Sequence, residues 1–193
     1  ISMAGRPMPI DGESLAYAPR RTLLDRLLVE AAADAGAEVR ERFAVEELLF
    51  EEGRAAGVRG RTRGGETVVE RARLVIGADG RHSSVASAVH PPSYREESPL
   101  EAGYYTYWSD LPSDGWEVYI RPHRGWGVIP TNDDLTLVSV AWPYAEFEEN
   151  KKDVERHYLD TLELVPSFAD RVHRATRQER FRGDAIANHF RKP

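Results

Sequence analysis

The sequence predicts a mixed chain of α/β and α+β character that changes once along its length. Residues 1–90 read as a partial three-layer α/β unit, and residues 91–193 as helices on an antiparallel sheet. Three observations lead there. An apolar run, Leu74-Val75-Ile76, breaks into Gly77-Ala78-Asp79-Gly80, as a strand buried on both faces does where it ends in a turn. A helical stripe and tight hairpins precede it. After Pro91-Pro92-Ser93, short aromatic strands follow one another with tight connections.

The elements follow in order. Leu24, Leu27, Leu28, Ala31, Ala32 and Ala35 form an apolar stripe at helical spacing. Thr22 with Asp25 is a start resembling a capping box, and Gly36 stands where a C-terminal cap belongs. A short strand is expected to begin at 36–39, a second to cover 45–50, and a turn to fall at Glu52-Gly53. A third strand spans 55–61, broken at Gly57, and a turn at 63–66 leads through 67–69 into the 73–78 strand. Beyond the proline pair, strands are expected at 104–111, 116–120, 125–130 and 135–142, with a hairpin turn at 132–134. A helix over 150–164 carries Val154, Tyr158, Leu159 and Leu162 on one face and ends at Pro166. A short helix at 167–172 and an extended segment at 180–190 close the chain.

The candidate chemistry is sparse. Asp79, between two glycines at a strand end, suits either an ordinary turn or the acceptance of ribose hydroxyls. Ser83 and Ser84 read as caps of the next turn rather than nucleophiles. Period-2 alternation sends Tyr105 and Tyr107 to one face of the sheet, and Tyr104 and Trp108 to the other. Most of these rings belong to a core, and Tyr105, Tyr107 and Trp126 are the candidates to line a substrate pocket. The six histidines lack zinc-ligand spacing, no metal is expected, and no catalytic residue stands out. The basic run at 59–63 and the arginines 171, 174, 177, 180 and 182 read as solvated faces.

Composition narrows the classes. A hydrophobic share of 41% is enough for a core in 193 residues, and a net charge of −6 argues against an electrostatic nucleic-acid binder. No stretch reaches membrane-spanning length and no signal peptide is visible. The lack of cysteine removes disulfides and thiolate chemistry, which fits a cytoplasmic protein.

The run Gly77-Ala78-Asp79-Gly80, with Ser83 and Val85, resembles the Asp-Gly motif of the flavin-dependent aromatic hydroxylases, the para-hydroxybenzoate hydroxylase-like monooxygenases; the final Arg of that motif is Ala86 here. Arg21, Leu24 and Leu28 match the R-x-x-L-x-x-x-L stretch of the same family, and residues 126–130 resemble its edge of the substrate site. The resemblance implies a Rossmann-like FAD-binding domain followed by a substrate domain. It also implies FAD as cofactor, NAD(P)H as electron donor, and a small aromatic or apolar molecule as substrate. It assigns Arg21, Val45, Asp79 and Gly80 to the cofactor. The Gly-rich turn and the later Gly-Asp motif of that family are not found, so the expectation is the middle of a longer flavoprotein, weak in FAD binding by itself. A reductase of the geranylgeranyl type and a non-catalytic small-molecule module are the alternatives, and a homodimer stays open.

Overall fold

The computed structural model describes residues 17–185 and 188–191. They fall into two compact units, split at Arg26/Leu27, Arg95/Glu96 and Asn188/His189. Helices and antiparallel sheets occur together, as the sequence leads one to expect.

Helix α1 (Arg21–Asp34) has its first six residues counted with the larger unit and the rest with the smaller one, and it ends as its sequence says. Gly36 takes φ +94°. Its N–H donates to Ala33 and that of Ala37 to Ala32, the paired bonds of a Schellman cap. The start differs from expectation. Thr22 lies inside the helix, and Asp25 pairs with Arg21 one turn back instead of closing a box. The helix begins where the Arg20 carbonyl accepts from Leu23 and Leu24. No residue of α1 is buried, and of its apolar stripe Leu24 is half-buried while Leu27, Leu28, Ala31 and Ala32 are exposed.

Strands β1 (Phe43–Glu51), β2 (Arg54–Thr62) and β3 (Thr67–Arg71) form a meander in that order. Glu52 and Gly53, both at positive φ, make the two-residue hairpin. Two expectations fail here. Residues 37–40 form no strand; Arg40 bonds instead to Glu38 and Glu70 through its side chain. Residues 74–80 form no strand either, and Leu74 and Ile76 stand 74% and 78% exposed. A strand apolar on both faces forms only between neighbours, and the described residues offer none at this point. Helix α2 (Ser84–Val89) follows, capped by Ser83, and β4 (Ser93–Glu97) comes next.

The larger unit is built on a six-stranded antiparallel sheet. Its strands are β5 (Glu101–Ser109), β6 (Glu117–Arg121), β7 (Arg124–Pro130), β8 (Thr136–Pro143), β9 (Thr176–Arg177) and β10 (Arg182–Asp184). The order is β10-β5-β8-β7-β6, with β9 also on β5. A last strand, β11 (Asn188–Arg191), pairs with β4 in a two-stranded ribbon.

Alternation decides the faces. Trp108, Trp126, Val128, Val138, Val140 and Trp142 are buried on one side. There they meet Tyr158 and Leu162 of α4 (Val154–Leu162) and Phe168 and Val172 of α5 (Pro166–Arg174). Two indoles of this core are paired: Trp108 Nε1 donates to Tyr158 Oη (3.2 Å), which donates to the Val138 carbonyl, and Trp142 Nε1 donates to Thr161 Oγ1 (2.8 Å). Burial pushes the Tyr158 phenol up.

The single helix expected over 150–164 is broken. A short helix α3 (Phe147–Asn150) and a 3-10 turn precede α4, because the Asp153 carboxylate accepts from the Arg156 N–H (3.1 Å) and caps a new helix. Pro166 begins α5 at its first position rather than ending α4.

Candidate functional site

The Asp79 turn is locally determined. A Cβ at Gly77 would lie 2.7 Å from Val85 Cβ, so only glycine lets the turn approach α2 this closely, and Gly80 sits at φ +82°. The Asp79 carboxylate then gathers the start of α2. Oδ1 accepts from Ser83 Oγ (2.5 Å), while Oδ2 accepts from Ser84 Oγ (2.8 Å), Ser84 N (2.7 Å) and Val85 N (3.3 Å). The Ser83 hydroxyl, followed by that of Ser84, holds the carboxyl far below the usual carboxylate range. Oδ2 is fully engaged, which leaves Oδ1 as the oxygen with room for another donor. The turn shapes structure and keeps one acceptor exposed.

Beside it, Val45 sits at a bulge of β1, where the register to β2 shifts. With Leu48, Ser84, Val85 and Ala88 it lines a cleft of about 200 Å³. Val45 and the residues held by Asp79 are thus brought together, in a space suited to one planar heterocycle rather than a whole dinucleotide. Glu46 and Glu47 also line the cleft and Asp79 is not in its lining, so apolar walls and the Ser84 hydroxyl, bonded to Asp79, are what the described residues offer there to one part of FAD. Arg21 belongs to the larger unit. Its side chain is 81% exposed and makes a two-pronged bond to Asp25 (2.9 and 3.1 Å), which raises the guanidinium pKa.

The second candidate is the face of the large sheet opposite the helices. A concavity of about 530 Å³ lies on it. Gly103, Gly125, Gly127, Ser139 and Ala141 give it a floor close to the backbone, and Tyr105, Val118 and Ile120 rise around it. Gly125 and Gly127 keep negative or extended φ, and a Cβ at Gly125 would meet nothing nearer than the Tyr119 carbonyl at 3.7 Å. Neither backbone nor packing requires glycine at position 125. Glycine inside a strand otherwise marks a close approach by a ligand.

The three aromatic candidates part company. Tyr105 borders the concavity and meets Tyr107 edge to face, with centroids 6.0 Å apart. Tyr107 lies beneath the Arg20 guanidinium, 4.6 Å from its ring centre. Trp126 is among the lining residues, yet its ring is packed in the core, stacked on Tyr119 (5.0 Å) and beside Phe168 (6.3 Å). Its indole N–H has no partner among the described residues.

Sequence reasoning missed two arginines. Arg171, expected on a solvated face, is partly buried and makes a two-pronged bond to Glu117 (both 2.8 Å) and a third to the Pro112 carbonyl (2.7 Å). Arg171 first, then the Tyr119 and Ser113 hydroxyls, bring the Glu117 carboxyl down to about 2. Burial and the same carboxylate push the Tyr119 phenol up to about 12. Arg20, overlooked beside Arg21, is the second.

No cluster of three or more His, Asp or Glu among the described residues is arranged to hold a metal, and no helix among them is long and apolar enough to cross a membrane.

Comparison with known proteins gives the lineage. The digeranylgeranylglycerophospholipid reductase of Methanosarcina acetivorans is 43% identical over 113 residues, 58% of this chain and 28% of the reductase. Among solved structures, the myxobacterial chondrochloren halogenase, an FAD-dependent halogenase, aligns with TM-score 0.79 and 26% identity over 94% of this chain and 44% of its own. Aklavinone-11 hydroxylase, solved with FAD and aklavinone, aligns with TM-score 0.70 and 20% identity over 91% and 34%. The chain spans less than half the length of each of these proteins. The family model described as the FAD binding domain matches residues 11–181, and the chain belongs to that family.

Proposed function

We propose that the polypeptide carrying this chain is an NAD(P)H-dependent FAD monooxygenase acting on a small aromatic or apolar substrate. The observation that carries the reading is the concave, apolar sheet face with its glycine floor, bordered by Tyr105. A flat apolar molecule can lie there within van der Waals reach of the strand backbone, shielded from water on that side. Tyr107 and Trp126 support the face, the first from beside Tyr105 and the second from within the core. Val45, Asp79, Gly80 and Arg21 are the residues assigned to FAD: an apolar cleft wall, an acceptor for ribose hydroxyls, an open turn and a cation for the phosphates. Bound FAD supplies the redox chemistry, and the chain binds, orients and keeps out water. A cytoplasmic setting and a homodimer belong to the same reading.

A second reading, saturation of isoprenoid double bonds, is supported by the 43% identity to the archaeal lipid reductase. The two differ in product mass. The FAD-loaded full-length polypeptide is given NADH or NADPH with phenolic substrates in air, and separately with an unsaturated isoprenoid lipid without oxygen. A product gaining one oxygen atom supports the first reading. A product gaining two hydrogens per double bond supports the second and sinks the first. Bound FAD that neither NADH nor NADPH reduces refutes NAD(P)H as donor.

A further inference from the structure

Arg20 stands where three distant segments meet. Its backbone N–H donates to Asn132 Oδ1 (2.8 Å), and its guanidinium bonds to Asp133 Oδ2 (3.4 Å) and to Glu179. The same guanidinium lies over the Tyr107 ring, and the side chain is only 18% exposed. The surrounding pieces are themselves fixed. Asn132 Nδ2 donates to Asp133 Oδ2 (2.6 Å), the Glu179 carbonyl accepts from Thr106 Oγ1 (2.7 Å), and Gln178 N donates to the Tyr107 carbonyl (2.8 Å). One cation therefore faces two carboxylates and a ring face, held by anchored strands. A planar guanidinium meets such a set in several directions at once, whereas an ammonium does not.

The Arg20 carbonyl also starts α1, accepting from Leu23 and Leu24 (2.9 and 3.0 Å). The next residue is Arg21, whose guanidinium turns along the helix to Asp25 (2.9 and 3.1 Å). We infer that Arg20 is a positioning residue: anchored at Asn132, Asp133 and Glu179 and laid over Tyr107, it fixes the first turn of α1 and so the place where Arg21 stands. The inference rests on the reading of Arg21 as a cofactor contact. Arg20 itself need touch no ligand, and its effect on FAD passes through Arg21.

The test is a double-mutant cycle in the full-length polypeptide. FAD affinity is titrated for wild type, Arg20→Ala, Arg21→Ala and the double variant, with hydrogen exchange followed in the same proteins. Arg20→Ala is expected to speed exchange at residues 21–24 and 132–135 and to weaken FAD binding about tenfold. Arg20→Lys recovers part of that loss, and the double variant binds no more weakly than Arg21→Ala alone. Unchanged exchange in Arg20→Ala overturns the inference, and so do additive losses of affinity. A wild-type polypeptide that takes up no FAD removes the flavin reading, while the exchange comparison still decides whether Arg20 fixes the turn.

Discussion

Replacing Arg171 by Ala tests the way α5 is joined to the sheet. The side chain makes two charge-assisted bonds to Glu117 and one to the Pro112 carbonyl, and it lies 5.2 Å over the Phe168 ring. A fully buried charged bond contributes about 1.5–3 kcal/mol net. Arg171 and Glu117 keep 29% and 23% of their side-chain exposure, so solvent screens part of this. The whole group is expected to contribute ~2 kcal/mol, a loss of Tm of about 4–8 °C. Acid sharpens the test. The folded carboxyl titrates near 2, below the ordinary glutamate value of 4.5. Its contribution is therefore complete above the ordinary value and lost as pH falls toward the folded one. In Arg171→Ala the carboxyl returns toward its ordinary value, so the difference in Tm between variant and wild type should shrink across that interval. Thermal unfolding by circular dichroism, repeated from neutral pH downward, measures it. Equal Tm at neutral pH, or a gap that ignores acid, would refute the reasoning.

Asp79→Ala removes four acceptor contacts at α2. It should lower the unfolding temperature, and in the full-length polypeptide it should also weaken FAD; a lower Tm with unchanged flavin titration makes Asp79 a purely structural residue. Phe168→Ala empties a site 1% exposed between Tyr119 and Trp126, with an expected loss of about 3–5 kcal/mol in denaturant unfolding. Gly183→Ala sets a methyl against the Gly103 carbonyl and 2.6 Å from Tyr104 Cα; the β10–β5 pairing should open, seen as faster exchange at 182–184. Gly125→Ala adds a Cβ with no neighbour nearer than 3.7 Å, so stability should hold or rise slightly, while binding of a flat apolar probe to the concave face should fall; unchanged probe binding would remove that face as the ligand site.

Features set within a few residues were legible in the sequence. The Gly36 cap, the Glu52-Gly53 hairpin and the Ser83 cap depend on local φ and short-range bonds, and each is where its residue types put it. So are the opposite faces of Tyr105 and Trp108, since alternation needs no partner to be known. Asp153 carried a readable capping signal, and the helical stripe running through it hid that signal. Arg20 and Arg171 could not be read from sequence: their partners lie 159 and 54 positions away, and an arginine at a helix start or on a helix looks solvated until those partners arrive. Leu74-Val75-Ile76 has the composition of a central strand, yet pairing is a property of neighbours, and composition cannot supply them. Of the candidate residues, Val45 lines a cleft with Ser84 and Val85, to which Asp79 bonds, whereas Tyr107 lies under Arg20 and the Trp126 ring is packed in the core.

The alternation along β5, β7 and β8 has a consequence for how such a protein can change. One set of positions holds the helices, and the interleaved set decides what the open face admits. Affinity for a new compound can thus drift through Gly103, Gly125, Ser139 or Ala141 while Thr106, Val138, Val140 and Trp142 stay as they are. Folding and selectivity are inherited on separate letters of the same strands, so a lineage can explore substrates without first surrendering its core.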